Sequence, residues 1–156
     1  MCVGLIMTAA LLACVGGCRK GVSVSEIPGT WTMSRSAQRL FPADFDVTSA
    51  TFVFKDDKTF TATGLPQEIV LLKAAGKDAT ERVNATGTWW LASDRSGFSN
   101  AFQMAMDFKT VQGPGKYQLP FSTMLFSAEK TDAGILIYYF HDDPDLGRRV
   151  EFVKQK

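Results

Sequence analysis

The side chains of this chain with the most acid–base chemistry stand together at His141-Asp142-Asp143-Pro144-Asp145, which holds the one histidine and three carboxylates. An imidazole beside carboxylates has the groups for proton transfer, and three acids within four residues have the oxygens for Ca²⁺. The alternating acids and central glycine of an EF-hand loop are absent, however, and a proline between acids is above all a turn signal. The segment therefore reads as a turn between two strands, in which Asp143 or Asp145 caps backbone amides. His141, Asp143 and Asp145 are its candidates for touching a ligand or partner. Nucleophilic catalysis finds no Gly-x-Ser-x-Gly elbow and no serine matched to His141. One histidine without a free thiol in the body of the chain makes no ordinary zinc site. Gly113-Pro114-Gly115 lacks the Lys and Ser/Thr of a phosphate loop. The residues thus point to no metal and no cofactor, and an enzyme built on His141 and its carboxylates is the least favoured reading.

Charge and cysteine usage narrow the class. Lys plus Arg number 17 against 16 Asp plus Glu, so no basic field invites nucleic acid. Cys2, Cys14 and Cys18 all fall in the first 18 residues, leaving the rest of the chain without a disulfide. A single leftover cysteine in an oxidising compartment is anomalous unless it is modified. From Met1 to Gly17 there is no charged side chain, and Leu5 to Val15 is apolar almost throughout. That run falls short of the roughly 20 residues needed to cross a bilayer, and it ends in small residues as a cleaved export signal does. The charged start of such a signal is missing. Val15-Gly16-Gly17-Cys18 resembles the lipobox of bacterial lipoproteins. The resemblance implies cleavage before Cys18, a diacylglyceryl group on its thiol, and a place on a membrane of the bacterial cell envelope. Leu11-Leu12-Ala13-Cys14 also fits a lipobox. Cys18 is preferred because cutting at Cys14 shortens the apolar core, and because Arg19-Lys20 mark where polarity begins.

The elements that must position these residues are mostly strands. Phe102, Met104, Met106 and Phe108 alternate with small or polar residues along 101–109, and Thr51 to Thr63 forms a hairpin around Asp56-Asp57-Lys58. In the hairpin Phe52, Phe54, Phe60 and Ala62 share a side. Further strands fit 30–34, 82–92, 117–126, 134–141 and 148–154, about eight in all, spaced as an antiparallel sheet closing on itself. Two short helical segments are expected, at 36–41 and 66–75; the second, with four consecutive apolar residues, reads as a lid on the barrel mouth. The neighbours Trp89-Trp90 and Tyr138-Tyr139 must point to opposite sides of their strands. Trp90 and Tyr139 are accordingly read as the outward members, available to a ligand or partner.

Gly29-Thr30-Trp31 on the first strand is similar to the Gly-x-Trp opening of lipocalin-type barrels. There the indole plugs the closed end beneath a basic side chain of the last strand, a role the resemblance gives to Trp31 with Arg148 or Arg149. Together with Thr61 to Pro66, Gly87-Thr88-Trp89 and Asp143-Pro144-Asp145, the chain resembles a family of small bacterial lipoproteins that brings no catalytic residues to carry over. The expected organisation is a signal peptide at 1–17, a lipidated cysteine and flexible tether at 18–26, and one all-β, lipocalin-like barrel of about eight strands at 27–156. Expected partners are a membrane, through the lipid, and either a small apolar ligand or an envelope protein. A barrel filled by its own side chains, acting as a structural or inhibitory interaction protein, is the alternative.

Overall fold

The structure, a computed structural model, describes residues 21–71, 81–95, 102–114, 123–141 and 144–156. Eight strands run in chain order: β1 Gly29–Met33, β2 Thr51–Phe54, β3 Thr59–Pro66, β4 Arg82–Arg95, β5 Phe102–Gln112, β6 Thr123–Thr131, β7 Gly134–Phe140 and β8 Arg149–Lys154. Each pairs antiparallel with the next, and β8 pairs with β1, so the sheet is a closed barrel with no free edge. The expected all-β, eight-stranded closure is the architecture observed.

Alternation decides which side chains fill it. Phe52, Phe54, Phe60 and Ala62 of the hairpin are all buried, as are Met104, Met106 and Phe108 of β5. Phe52 lies at the centre of the interior, its ring 5.4 Å from Phe54, 5.8 Å from Phe60, 6.1 Å from Phe126 and 4.9 Å from Phe152. The Phe54 ring is stacked on Phe52 and the other three meet it edge-on; both geometries are favourable at centroid separations of 4.5–7 Å. Gly87 makes room for this packing: a Cβ there would run into the Asp107 carbonyl and come within 2.7 Å of the Phe60 ring, at the point where the β4–β5 register shifts.

The two ends differ. At one, the turn at 55–58 and the 3₁₀ turn Val24–Glu26 flank Trp31 and Trp89. At the other lie the 3₁₀ segments Arg35–Leu40 and Val47–Ser49 and the helix α1, Gln67–Leu71. Ile69 and Val70 of α1 are buried in the main core, so this segment does close the helical end. The expected helix was longer, but 72–80 lie outside the described residues. Arg82 ties the end together, donating to the Ser49 hydroxyl, to the Gly64 carbonyl at 3.1 Å and to the Asp46 carbonyl at 2.9 Å, with its guanidinium 4.1 Å from the Phe45 ring.

Two expected boundaries are corrected. The strand placed at 117–126 is observed at Thr123–Thr131, because its second half, Ser127 to Thr131, pairs in register with β7 without an apolar alternation to announce it; the first part lies outside the described residues. The flexible tether ends sooner than expected, since Val22 is buried in the core and Ser23 opens a 3₁₀ turn closed by the Glu26 side chain.

Because Phe52 touches rings from β2, β3, β6 and β8, Phe52→Ala should lower unfolding stability by about 3–5 kcal/mol in urea titrations. Thr61→Ala, on the outer face of β3, should change it by less than about 0.5 kcal/mol.

Candidate functional site

At the helical end, His141 closes β7, its backbone N–H donating to the Arg148 carbonyl at 2.9 Å across the connection to β8. The histidine segment is thus the turn between the last two strands. The imidazole faces Phe41, ring to ring at 6.1 Å, and its Nδ1 lies 3.5 Å from Oε1 of Glu68 on α1. That is ion-pair distance rather than a short hydrogen bond. Glu68 is almost fully buried and His141 four-fifths buried, their side chains being 6% and 19% exposed. A carboxylate facing Nδ1 favours the proton there and turns Nε2 into the nitrogen available to anything else. His141 also lines an open cleft of about 540 Å³ with Arg39, Leu40, Leu146, Gly147 and Arg148. Arg39 and Arg148 give the cleft cationic groups, and the His141 ring gives it a hydrogen-bonding one. Asp145 sits beside it, exposed, in the 3₁₀ turn Pro144–Leu146; Asp143 lies outside the described residues.

Sequence reasoning found His141 but missed Glu68, Arg39 and Leu40. The signal for Glu68 was a single acid at the head of the apolar stretch Ile69-Val70-Leu71. Only the fold brings it to His141.

The other candidates divide between inside and outside. Trp89 is buried and Trp90 is 47% exposed, so Trp90 is the outward member of its pair. For the tyrosines the expectation is reversed. Tyr139 points inward, 5.5 Å from Phe126 and packed on the main core, while Tyr138 is on the outer face. The register accounts for this, because Ile137 and Tyr139 follow the inward phase of β7, and Leu136, Tyr138 and Phe140 the outward one. Tyr138 is nonetheless covered, by the Arg149 guanidinium 4.7 Å from its ring and by Phe140 at 5.6 Å.

At the opposite end Trp31 is fully buried, its indole N–H donating to the Ile27 carbonyl at 2.8 Å. Its cation is Lys154, whose Nζ lies 5.8 Å from the ring and donates to the Glu26 carbonyl at 2.7 Å. Arg148 and Arg149 do not cover Trp31. Trp31 pairs with Lys154 and Arg149 with Phe140, so Arg149 lies five residues away along β8, about 17 Å. Arg149 instead bonds Glu151 at 2.6 Å. Gly29 has φ +136 and lies under Lys154, where a Cβ would meet Cε at 2.7 Å, so the glycine of Gly-x-Trp leaves space for the lysine. Trp89 repeats the device: its N–H donates to the Lys55 carbonyl at 3.3 Å and Lys58 Nζ lies 4.2 Å from its ring. No family model, curated protein or solved structure matches the chain.

Trp31→Ala and Lys154→Ala should be non-additive in a double-mutant cycle, with coupling of about 0.5–1 kcal/mol. The same cycle with Arg149→Ala should be additive.

The Glu26 carboxyl is held below its ordinary range by the Lys130 ammonium 2.7 Å away and by the Ser23 N–H. A carboxyl lowered on folding contributes stability above its unfolded value, about 4.3, and loses it as pH falls through the lower folded value. Glu26→Gln should therefore be less stable than wild type at neutral pH, and the difference in thermal midpoint should shrink as the pH drops below that range.

Proposed function

We propose that this chain is a membrane-anchored, non-catalytic binding module of the bacterial cell envelope, with a filled barrel that meets an envelope partner at its helical rim. The observation that carries the reading is the interior itself. Phe52, Phe54, Phe60, Phe126, Phe152 and Trp89 are packed ring against ring, mostly edge to face, where a hollow barrel would hold a ligand. An eight-stranded barrel either encloses one small ligand or fills with side chains. The filling here argues for a partner over a small apolar molecule inside.

Recognition then falls to the surface, and the Arg39–His141–Arg148 cleft is the polar, concave part of the helical end. The anchor rests on Val15-Gly16-Gly17-Cys18 and on the restriction of cysteine to the first 18 residues. Among the described residues no helix is long and apolar enough to cross a membrane.

Native mass spectrometry of the protein purified from its host's membranes tests both halves. The expected species begins at Cys18, carries the mass of a diacylglyceryl group, retains a protein partner and holds no apolar small molecule. Arg39→Glu, on the exposed rim, should lose that partner with an unchanged thermal midpoint. A stoichiometric apolar molecule would overturn the filled-barrel reading, and an unacylated Cys18 would overturn the anchor.

A further inference from the structure

The outer wall of the barrel has two unlike halves. On β1 to β3 the outward positions are Thr30, Thr32, Thr51, Val53, Thr59, Thr61 and Thr63, nearly a continuous threonine surface. On β4 to β6 a different row crosses the strands, with Trp90 paired to Ala105 and Ala105 to Leu125. Tyr138 pairs with Ser127, which puts Phe140, two residues on, level with Leu125 and extends the row to β7. Trp90, Leu125 and Phe140 are 47%, 58% and 38% exposed, and Val153 on β8, paired with Leu136, is 42% exposed. A soluble barrel needs none of these four apolar side chains for its core. Trp90, Leu125 and Phe140 form an apolar row three strand spacings long, about 14 Å from β4 to β7, while Val153 stands four residues off its level and Arg149 takes the next place on β8.

Two observations indicate what covers it. The first is where the chain enters. Gly21 lies against the ring of Phe102, the first residue of β5, and Ala105 of the row is three residues further along that strand, about 10 Å away. Cys18 is three residues before Gly21, so an extended chain places it at most about 11 Å from that point. The acyl chains of a lipidated Cys18 therefore enter a bilayer within reach of the plane of the row. The second is charge. Beside the flank, a groove floored by Leu136 and Val153 is lined by Lys130, Arg149, Lys154 and Lys156 against the carboxylates of Glu26 and Glu151. An indole in the row, and a groove with more cations than carboxylates at the row's β7 edge, match the headgroup region of an anionic bilayer, where indole rings settle and basic residues meet lipid phosphates.

We propose that the β4–β7 flank is a membrane-docking surface: the barrel lies on the bilayer through Trp90, Leu125 and Phe140 and turns the threonine wall outward. This deepens the anchored reading above, on which its reach argument rests. Docking would add an orientation to the anchor, since a lipid on a tether restricts distance but leaves the barrel free to rotate.

The test uses the membrane-purified protein reconstituted in vesicles of phosphatidylethanolamine and phosphatidylglycerol, with and without brominated lipids. Trp31 and Trp89 are buried, so the emission lost between wild type and Trp90→Phe reports Trp90 alone. Docking predicts that brominated lipid quenches most of the Trp90 emission, that aqueous acrylamide quenches little of it, and that Leu125→Ser with Phe140→Ser reverses both. Trp90 left open to acrylamide and untouched by bromine would overturn the proposal while an acylated Cys18 kept the anchor. Protection from both quenchers would overturn it in favour of a protein or a second copy on the flank. If the protein proves unacylated, the anchor fails separately. Docking then stands only if the protein still floats with the vesicles and bromine still quenches Trp90.

Discussion

The contact on which this structure most depends is that of the Phe52 ring with Phe54, Phe60, Phe126 and Phe152. Backbone pairing closes the cylinder and, through strand number and register, sets its diameter, but it leaves the fill undecided; an eight-stranded barrel can be either hollow or solid. Here a short strand, β2, carries the ring that meets partners from its own strand, from β3 next to it, and from β6 and β8 on other sides of the barrel. Through Phe54 the network continues to Trp31 at 6.4 Å and Trp89 at 5.8 Å, and through Phe126 to Tyr139. Interiors packed at crystal-like density transmit such constraints, so the aromatic filling sets where every inward side chain sits.

A filled interior divides the labour between the two ends. The end with Trp31 and Trp89 is sealed by two indoles, each hydrogen-bonded to a backbone carbonyl and each beneath a lysine. The other end is sealed by chain rather than by one plug: Ile69 and Val70 of α1 pack into the core, and Arg82 binds the 45–49 segment to the rim. The second kind of seal leaves polar groups at its surface. Glu68 arrives at His141 only because α1 must bury Ile69 and Val70, which turns the acid just before them towards the end of β7. The candidate cleft is thus a by-product of how the mouth was closed, and a rim built this way can vary without disturbing the ring stack below it.

The fold was legible because it rests on alternation, which sequence displays directly. Phe52, Phe54, Phe60 and Ala62 declared their common side, and so did Phe102 to Phe108, since a period of two survives without knowledge of the partner strand. What was not legible depends on register. Whether Arg149 or Lys154 reaches Trp31 is decided by the level at which β8 meets β1, and a basic residue at either end of the strand looks the same in sequence. The phase of Tyr138-Tyr139 was ambiguous for a related reason, because Leu136-Ile137-Tyr138-Tyr139-Phe140 is apolar on both faces and alternation carries no sign there. The Glu68–His141 contact joins residues 73 positions apart in the chain, and no local pattern encodes it. Gly29 was read as part of a motif, and its physical reason, space for the Lys154 side chain, appears only once β8 lies beside it.

The apolar phase that hid the orientation of β7 also gives the outer wall its asymmetry. A strand buried on one face needs apolar residues at alternate positions only, and β1 to β3 obey that economy with threonine outside. β7 does not, and the outward row it shares with β4, β5 and β6 lies on the side where the chain enters. The entering segment is itself firmly fixed: Val22 is buried, Glu26 is paired with Lys130, Lys154 holds the Glu26 carbonyl, and Trp31 holds that of Ile27. These four contacts span β1, β6 and β8, so a force applied at the start of the chain is carried by the barrel wall instead of unravelling a loop. A purely passive leash would need no such clamp. On the anchored reading, the clamp fixes the direction in which the barrel leaves its membrane attachment, and the apolar flank beside it fixes the rotation about that direction.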